Sequence, residues 1–493
     1  MPDYAGHDRQ AEKMTVKLLS VASECVPFVK TGGLADVVGA LSRVLGAHAV
    51  ECRVLLPLYR QIAQLGKEAK EVLDVGSKFG GPVRVLARRE SGVDLLLIDA
   101  PHLYDRPGQI YLDESGADWA DNHLRFGLLS WLGAEIGRVG VAGWVPDVIH
   151  THDWQAGLTP VFCRQNGQGT PNIMTIHNIA FQGNFPATTM GELGLDPRDF
   201  TQDGFEYFGQ ISFLKGGLMR ADRITTVSPT YARETMTPEF GMGLDGVLMA
   251  RRAVVSGILN GIDLDVWNPN TDPAIAQTYS SRTLAKKAVN KRAVLERFGL
   301  DGDTTAPLFS VISRLSEQKG LDLALQALPG LLDKGARFVL LGSGDAQLEQ
   351  GFRNLASTNP DRVGVKIGFD EDLAHLMQAG ADATLVPSRF EPCGLTQLCA
   401  MRYGTLPIVS ITGGLADTVI DANEAALSAG CATGIQFAPT TAASLGDALD
   451  RALEIYANRK SWQKIQRNAM KHPVGWDVSA RRMADLYHTL AGD

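Results

Sequence analysis

Several things are scarce in this 493-residue chain, and each scarcity removes a class of protein. Positive charge is not in excess: Lys and Arg number 47 against 55 Asp and Glu, a formal net charge of -8. That argues against a nucleic-acid or membrane-surface partner and leaves any anionic ligand to a few local cations. Cysteine is sparse, with six residues (Cys25, Cys52, Cys163, Cys393, Cys399 and Cys431) and neither a CxxC pair nor dense spacing. A disulfide framework is therefore not expected, and about four or five of the thiols read as small buried hydrophobes. No apolar run approaches the roughly 18 residues that would span a bilayer. Residues 1–17 are polar and carry no apolar stretch ahead of a cleavage site, so a secretory signal is not expected, and Met14 offers an alternative start. These features together indicate a cytoplasmic protein. No histidine pair has zinc spacing such as HExxH, and Asp263-x-Asp265 and Asp301-x-Asp303 sit in turn-rich stretches where Asp serves turn chemistry. No metal is expected.

What is present is enough for two or three packed cores, with 45% hydrophobic and 21% charged residues. Short apolar runs end in Gly-, Pro- or polar-rich turns and lead into helical periodicity, the strand-then-helix pattern of an α/β protein. Residues 16–22, 54–56, 95–98, 148–150, 173–176 and 224–227 read as strands of one parallel sheet. After Asn260-Gly261 and a turn-rich passage the pattern restarts at 308–313, 338–341, 363–367, 384–386 and 406–409. This predicts two doubly wound Rossmann-like domains, 14–261 and 262–475, facing each other across a deep cleft, with ligands at the carboxyl ends of strands. A single barrel would show about eight evenly spaced βα units without a central restart.

The chemistry-bearing residues cluster in the turns after these strands. Lys30-Thr31-Gly32-Gly33-Leu34-Ala35-Asp36 follows the first strand and opens a helix, so its glycines admit close backbone approach and its amides face an anion or hydroxyl. An ordinary tight βα turn has the same glycines. A second turn, Gly342-Ser343-Gly344, begins like a dinucleotide fingerprint but has Gln347 where the third glycine belongs, so NAD is not indicated. Arg314 and Lys319 flank a strand end and a helix start, an arrangement suited to a diphosphate, although basic loop residues are often merely solvated. Glu391, between Phe390 and Pro392, can accept hydrogen bonds from vicinal sugar hydroxyls, and the amides of Gly394, Leu395 and Thr396 can meet phosphate oxygens. Gly413-Gly414-Leu415-Ala416-Asp417 nearly repeats the first glycine motif. His150, His152 and His177 stand at strand ends, as structural residues or, for His177, as a ligand-facing group.

Eight segments in order, KTGGLADVVGAL, THDWQAGLTPV, TIHNIAFQG, FGQISFLKGGLMRADRITTVSPTYARE, GILNGIDLDVWNP, ISRLSEQKGLDL, VPSRFEPCGLTQL and GGLADTV, resemble the bacterial glycogen synthases and their plant relatives, the starch synthases. The resemblance runs from about residue 16 to about residue 490. It implies the GT-B fold and transfer of glucose from ADP-glucose to the nonreducing end of an α-1,4-glucan such as glycogen, with anomeric retention and no cofactor. It places Lys30, Gly33 and Asp36 near the donor sugar and phosphate, and Asp153, His177 and Asn178 around the sugar. It assigns Asn260, Arg314, Lys319, Glu391 and Thr396 to donor binding. Phe369 stands where the family usually stacks a tyrosine on adenine, and Ser410 and Ile411 stand where the family often has an arginine. The resemblance also implies that the segment 476–493 crosses back to the first domain.

Breaking a sugar–phosphate bond leaves positive charge at C1 and negative charge on the departing diphosphate, which fixed cations stabilise. Arg314 and Lys319 are the candidates. Retention through a covalent glycosyl carboxylate needs two carboxyl groups about 5 Å apart. The resemblance instead implies front-side attack, with Glu391 positioning the glucosyl group and His177 holding its C6 hydroxyl.

Overall fold

Runs such as residues 148–152 and 172–176 are buried at every position, which only strands covered on both faces allow. A computed structural model describes residues 15–492, so Met14 and the alternative start lie outside the described residues. The chain divides into two compact units, Met1–Thr225 with Val247–Val254 and Ala480–Asp493, and Thr226–Gly246 with Val255–Ser479.

The first unit contains β1 (Val16–Val21), β2 (Val50–Pro57), β3 (Lys70–Lys78), β4 (Gly81–Glu90), β5 (Val93–Asp99), β6 (Val148–His152) and β7 (Asn172–Ile176). A small antiparallel sheet follows, β8 (Asn184–Pro186), β9 (Glu206–Tyr207) and β10 (Gln210–Ser212), in the order β8-β10-β9, and then β11 (Arg223–Thr226). In the main sheet the strands introduced so far run β11-β7-β6-β1-β2-β5-β4-β3. β1 pairs parallel with both β2 and β6, whereas β4 pairs antiparallel with β5 and with β3. Of the strands read from the sequence, β1, β2, β5, β6 and β7 pair parallel as expected; the hairpin of β3 and β4, which that reading lacks, extends the sheet beyond β5 and makes it mixed. β3 is half exposed along its length and its register with β4 shifts twice, the pattern of a protected edge strand. Leu19, Val54, Leu97, Ile149 and Ile173 are fully buried along the sheet, each contributing about 2 kcal/mol by removal from water.

The chain continues through the short strand β12 (Val255–Gly257) to the second sheet: β13 (Leu308–Ile312), β14 (Arg337–Gly342), β15 (Val363–Ile367), β16 (Ala383–Val386), β17 (Leu406–Ser410) and β18 (Ile435–Phe437). Its order is β15-β14-β13-β16-β17-β18, parallel at every pair. Phe309, Val311, Phe338, Leu340 and Ile408 lie in its core with helices packed over them. In both sheets the strand order reverses beside the first strand, between β1 and β6 and between β13 and β16, and such a reversal opens a crevice at the carboxyl ends.

Five of the six cysteines are buried, Cys431 is exposed, and all are free thiols. Among the described residues, no helix is long and apolar enough to cross a membrane.

Gly320 shows how tightly the crevice loops of the second unit are packed. It holds φ +64°, and a Cβ there would sit 2.0 Å from the Pro387 carbonyl oxygen. Gly320→Ala is expected to destabilise the protein by about 3 kcal/mol and to lower the calorimetric melting temperature. An unchanged melting curve would show that the two loops do not approach in this way.

Candidate active site

The loops after β13 and β16 carry most of the second unit's predicted residues, and the reversal of strand order brings them together. Lys319, Glu391 and Thr396 line one cavity of about 50 Å3 with Ser313, Ser388 and Gly394. Glu391 is buried, its Oε2 accepting from Lys319 Nζ at 2.6 Å and from Ser388 Oγ at 2.8 Å. The side chains of the pair are 19% and 8% exposed. Lys319, read from sequence as a phosphate cation, is thus also the counter-ion of the carboxylate. An ammonium carries three donors, so two remain for an anion. Around this pair the loops are stitched together. Arg389 makes two 2.7 Å bonds to the Asp322 carboxylate, and its main-chain N–H donates to the Gln318 carbonyl at 2.8 Å.

Arg314 does not line this cavity. It is exposed, its carbonyl accepting from Ser313 Oγ at 3.1 Å, and its guanidinium has no hydrogen-bond or ion-pair partner among the described residues. Phe369 follows the end of β15 and is 88% exposed, an uncovered aromatic face. The Asn260 main chain hydrogen-bonds the Cys393 thiol, and Thr396 opens the helix Thr396–Arg402. Gly413 and Gly414, the second glycine pair, begin a helix; the Gly413 N–H donates to the Glu234 carboxylate at 3.0 Å.

In the first unit the loops after β1 and β6 flank the corresponding reversal. The helix Gly33–Val44 starts without a side-chain cap, and nothing lies within 4 Å of where a Cβ on Gly32 or Gly33 would be. The loop before it is held by Glu24, a buried carboxylate that sequence reasoning missed. Glu24 accepts from the Thr31 N–H, from Thr31 Oγ1 at 2.6 Å, from the Gly32 N–H at 3.2 Å and from the Tyr111 hydroxyl at 2.5 Å. Lys30 pairs with Asp36 at 2.9 Å while 53% exposed. Exposed pairs of this kind are worth about 0–1 kcal/mol, so an arriving anion can replace Asp36 at small cost.

Asp153 follows β6 with φ +53°, a left-handed conformation that a non-glycine side chain rarely holds. The turn aims its Oδ1 at the main-chain N–H of His177, 2.7 Å away, and of Asn178, 3.4 Å away. Asp153, His177 and Asn178 are therefore one assembly across the ends of β6 and β7. His177 Nε2 lies 3.1 Å from His152 Nδ1, and His152 Nε2 lies 3.1 Å from Ser20 Oγ. His150 bonds the Tyr487 hydroxyl at 2.9 Å and Thr175 Oγ1 at 2.5 Å. Burial holds His150 and His177 down at about 3 and His152 well below the usual imidazole value, and it pushes Asp153 up to about 7. The histidines are neutral hydrogen-bonding groups at pH 7, and the one nitrogen of His177 without a partner among the described residues is Nδ1.

Residues 17–250 match the family model described as the starch synthase catalytic domain, and residues 295–471 match that of the group 1 glycosyl transferases. A glycogen synthase of Roseobacter denitrificans is 57% identical over 478 residues, 97% of this chain and 100% of that protein. One from Rhodopseudomonas palustris is 53% identical, covering 96% of this chain and 97% of its own. The chain belongs to the glycogen synthase family. It is a glycosyltransferase, and its fold is GT-B. Among solved structures, the catalytic domain of starch synthase IV from Arabidopsis thaliana, bound to ADP and acarbose, is 31% identical with a TM-score of 0.86, covering 97% of this chain and 100% of that one. A sucrose-phosphate synthase from Thermosynechococcus elongatus, 19% identical with a TM-score of 0.59 over 97% of this chain and 99% of its own, shares the fold.

The buried histidines set a direction for stability against pH. Each has a folded pKa below its unfolded value, so its contribution is complete above about pH 6.5 and is lost as pH falls toward about 3. Asp153 acts oppositely, its contribution present at low pH and lost as pH rises from 3.8 to about 7. Three histidines outweigh one carboxyl, so urea midpoints should fall steeply from pH 6.5 to 5. His152→Gln should flatten that slope, and an unchanged slope would mean that the histidine is charged in the folded protein.

Proposed function

We propose that the chain transfers glucose from ADP-glucose to the nonreducing end of an α-1,4-glucan such as glycogen, retaining the anomeric configuration and releasing ADP. We further propose that it does so in the cytoplasm and without a cofactor. The observation that carries this reading is the buried Lys319–Glu391 pair beside the unpaired Arg314, at the strand reversal of the second unit. That arrangement offers a diphosphate two cations and a sugar one fixed carboxylate.

In this reading Arg314 and the two spare protons of Lys319 take the diphosphate oxygens, the amides of Gly394, Leu395 and Thr396 add donors, and Phe369 stacks on the adenine. The C1–O bond breaks with its electron pair passing to the phosphate oxygen, where the cations lower the energy of the developing charge. The acceptor hydroxyl forms the new C1–O bond on the same face and gives its proton to the departing phosphate. Glu391 accepts from the sugar hydroxyls through Oε1, the oxygen that neither Lys319 nor Ser388 occupies. Asp153 fixes the His177 turn, so that His177 Nδ1 meets the C6 hydroxyl and the His177 carbonyl faces the developing positive charge. Lys30 and the open Gly32-Gly33 turn complete the donor site.

The direct test is transfer of isotope from labelled ADP-glucose into glycogen, with unlabelled UDP-glucose as competitor. Incorporation little affected by equal UDP-glucose is expected, and failure to label the polymer would refute the reading. Glu391→Gln should leave ADP affinity nearly intact while turnover falls by about 100-fold or more; near-normal turnover would remove Glu391 from the mechanism. Arg314→Ala should weaken ADP binding and lower the rate together, each by about tenfold or more. Unchanged values for both would refute its role at the leaving group.

A further inference from the structure

A second cavity, of about 110 Å3, lies wholly within the first unit and is lined by Tyr59, Arg60, Tyr104, Arg106, Gln109 and Arg125 among others. The transfer chemistry does not use it; one of its groups lacks the partner that burial demands, and another is a buried cation without a bonded carboxylate. The Tyr59 hydroxyl is buried with no hydrogen-bond partner, on a residue 3% exposed. Arg125 is 1% exposed. Its Nε donates to the Leu103 carbonyl at 3.0 Å, and its Nη1 donates to the Ile110 carbonyl at 2.8 Å and to Asn122 Oδ1 at 2.7 Å. All three acceptors are neutral. Among the described residues no carboxylate pairs with Arg125 and nothing accepts from its Nη2.

The other two cations at the cavity are already matched. Arg106 grips Asp121 through two bonds of 2.7 and 2.6 Å, and Arg60 holds Asp105 at 2.8 Å on the surface. Tyr104 donates its hydroxyl proton to the Arg125 carbonyl at 2.6 Å, so that proton is not available to an anion. The positive charge left over is therefore the buried one. The Tyr104, Trp119 and Phe126 rings lie 5.9, 5.8 and 5.4 Å from the Arg125 guanidinium and Asp121 acts on it from a distance, but a trapped water would satisfy the Tyr59 hydroxyl without giving that cation a directly bonded anion.

We propose that this cavity binds a phosphoryl group, carried by inorganic phosphate or by a phosphate monoester, with Arg125 Nη2 and the Tyr59 hydroxyl donating to its oxygens. A tetrahedral oxyanion suits the site better than a carboxylate. It has an oxygen for each of Arg125 Nη2, the Tyr59 hydroxyl and the side-chain amide of Gln109, which lines the same cavity. The chain would then have an oxyanion site in its first unit, separate from the diphosphate cations of its second.

Calorimetric titration of the full chain with inorganic phosphate tests this, run on the wild type, on Arg314→Ala and on Tyr59→Phe. Saturable binding retained in Arg314→Ala and weakened about fivefold in Tyr59→Phe is expected, the loss of one hydrogen bond. Arg125→Gln, provided its circular dichroism matches the wild type, should weaken it at least about tenfold. A parallel titration with methyl phosphate separates the two sources: equal or tighter binding supports a monoester as occupant, and exclusion of the ester supports free phosphate. No saturable phosphate binding, or binding indifferent to Tyr59→Phe, overturns the proposal.

Discussion

A buried carboxylate needs a counter-charge, and the second unit is arranged around that requirement. Glu391 and Lys319 belong to different loops more than seventy residues apart in sequence, and the 2.6 Å bond between them exists because β13 and β16 are neighbours, Phe309 opposite Ala383 and Ser310 opposite Thr384. Removing either partner would leave a buried charge uncompensated, at a cost of about 3–5 kcal/mol. The close contacts nearby serve the same end. The close approach of Gly320 to Pro387, the Arg389–Asp322 fork and the Ser388 hydroxyl all hold the two loops at the distance the ion pair needs.

The first unit solves the matching problem with neutral groups. Its strand ends carry an imidazole pair, His152 with His177, closed on Ser20, and beside it His150 closed on Tyr487 and Thr175. Burial keeps these rings uncharged and so suits them to hold hydroxyls. Asp153 acts through the backbone, fixing the His177 turn from a left-handed conformation of its own.

Much of this was legible in the residues because fully covered strands are continuous apolar runs. β1, β6, β7 and β13 to β17 follow from such runs, and the residues just after them follow from the rule that ligands meet strand ends. What escaped had weaker local signals. β3 is rich in charge and half exposed, so its alternation did not separate it from a loop, and with it the mixed character of the sheet was missed. β18 is three residues long. Pairings across the fold leave no mark in local spacing. Glu24 is one acid after a strand, and only the fold closes Thr31, Gly32 and Tyr111 on it; Arg125, on a helix, carries no local sign that the fold leaves it 1% exposed. The acidic residue directly following an apolar strand was the available clue for Glu24.

In the proposed function the loops after β13 and β16 hold a nucleotide diphosphate through Arg314 and the spare protons of Lys319. A crystal structure of the protein with ADP tests it most directly. The account predicts diphosphate oxygens within hydrogen-bond distance of the Arg314 guanidinium and Lys319 Nζ, with the adenine against Phe369. Nucleotide bound with neither cation in contact would contradict it.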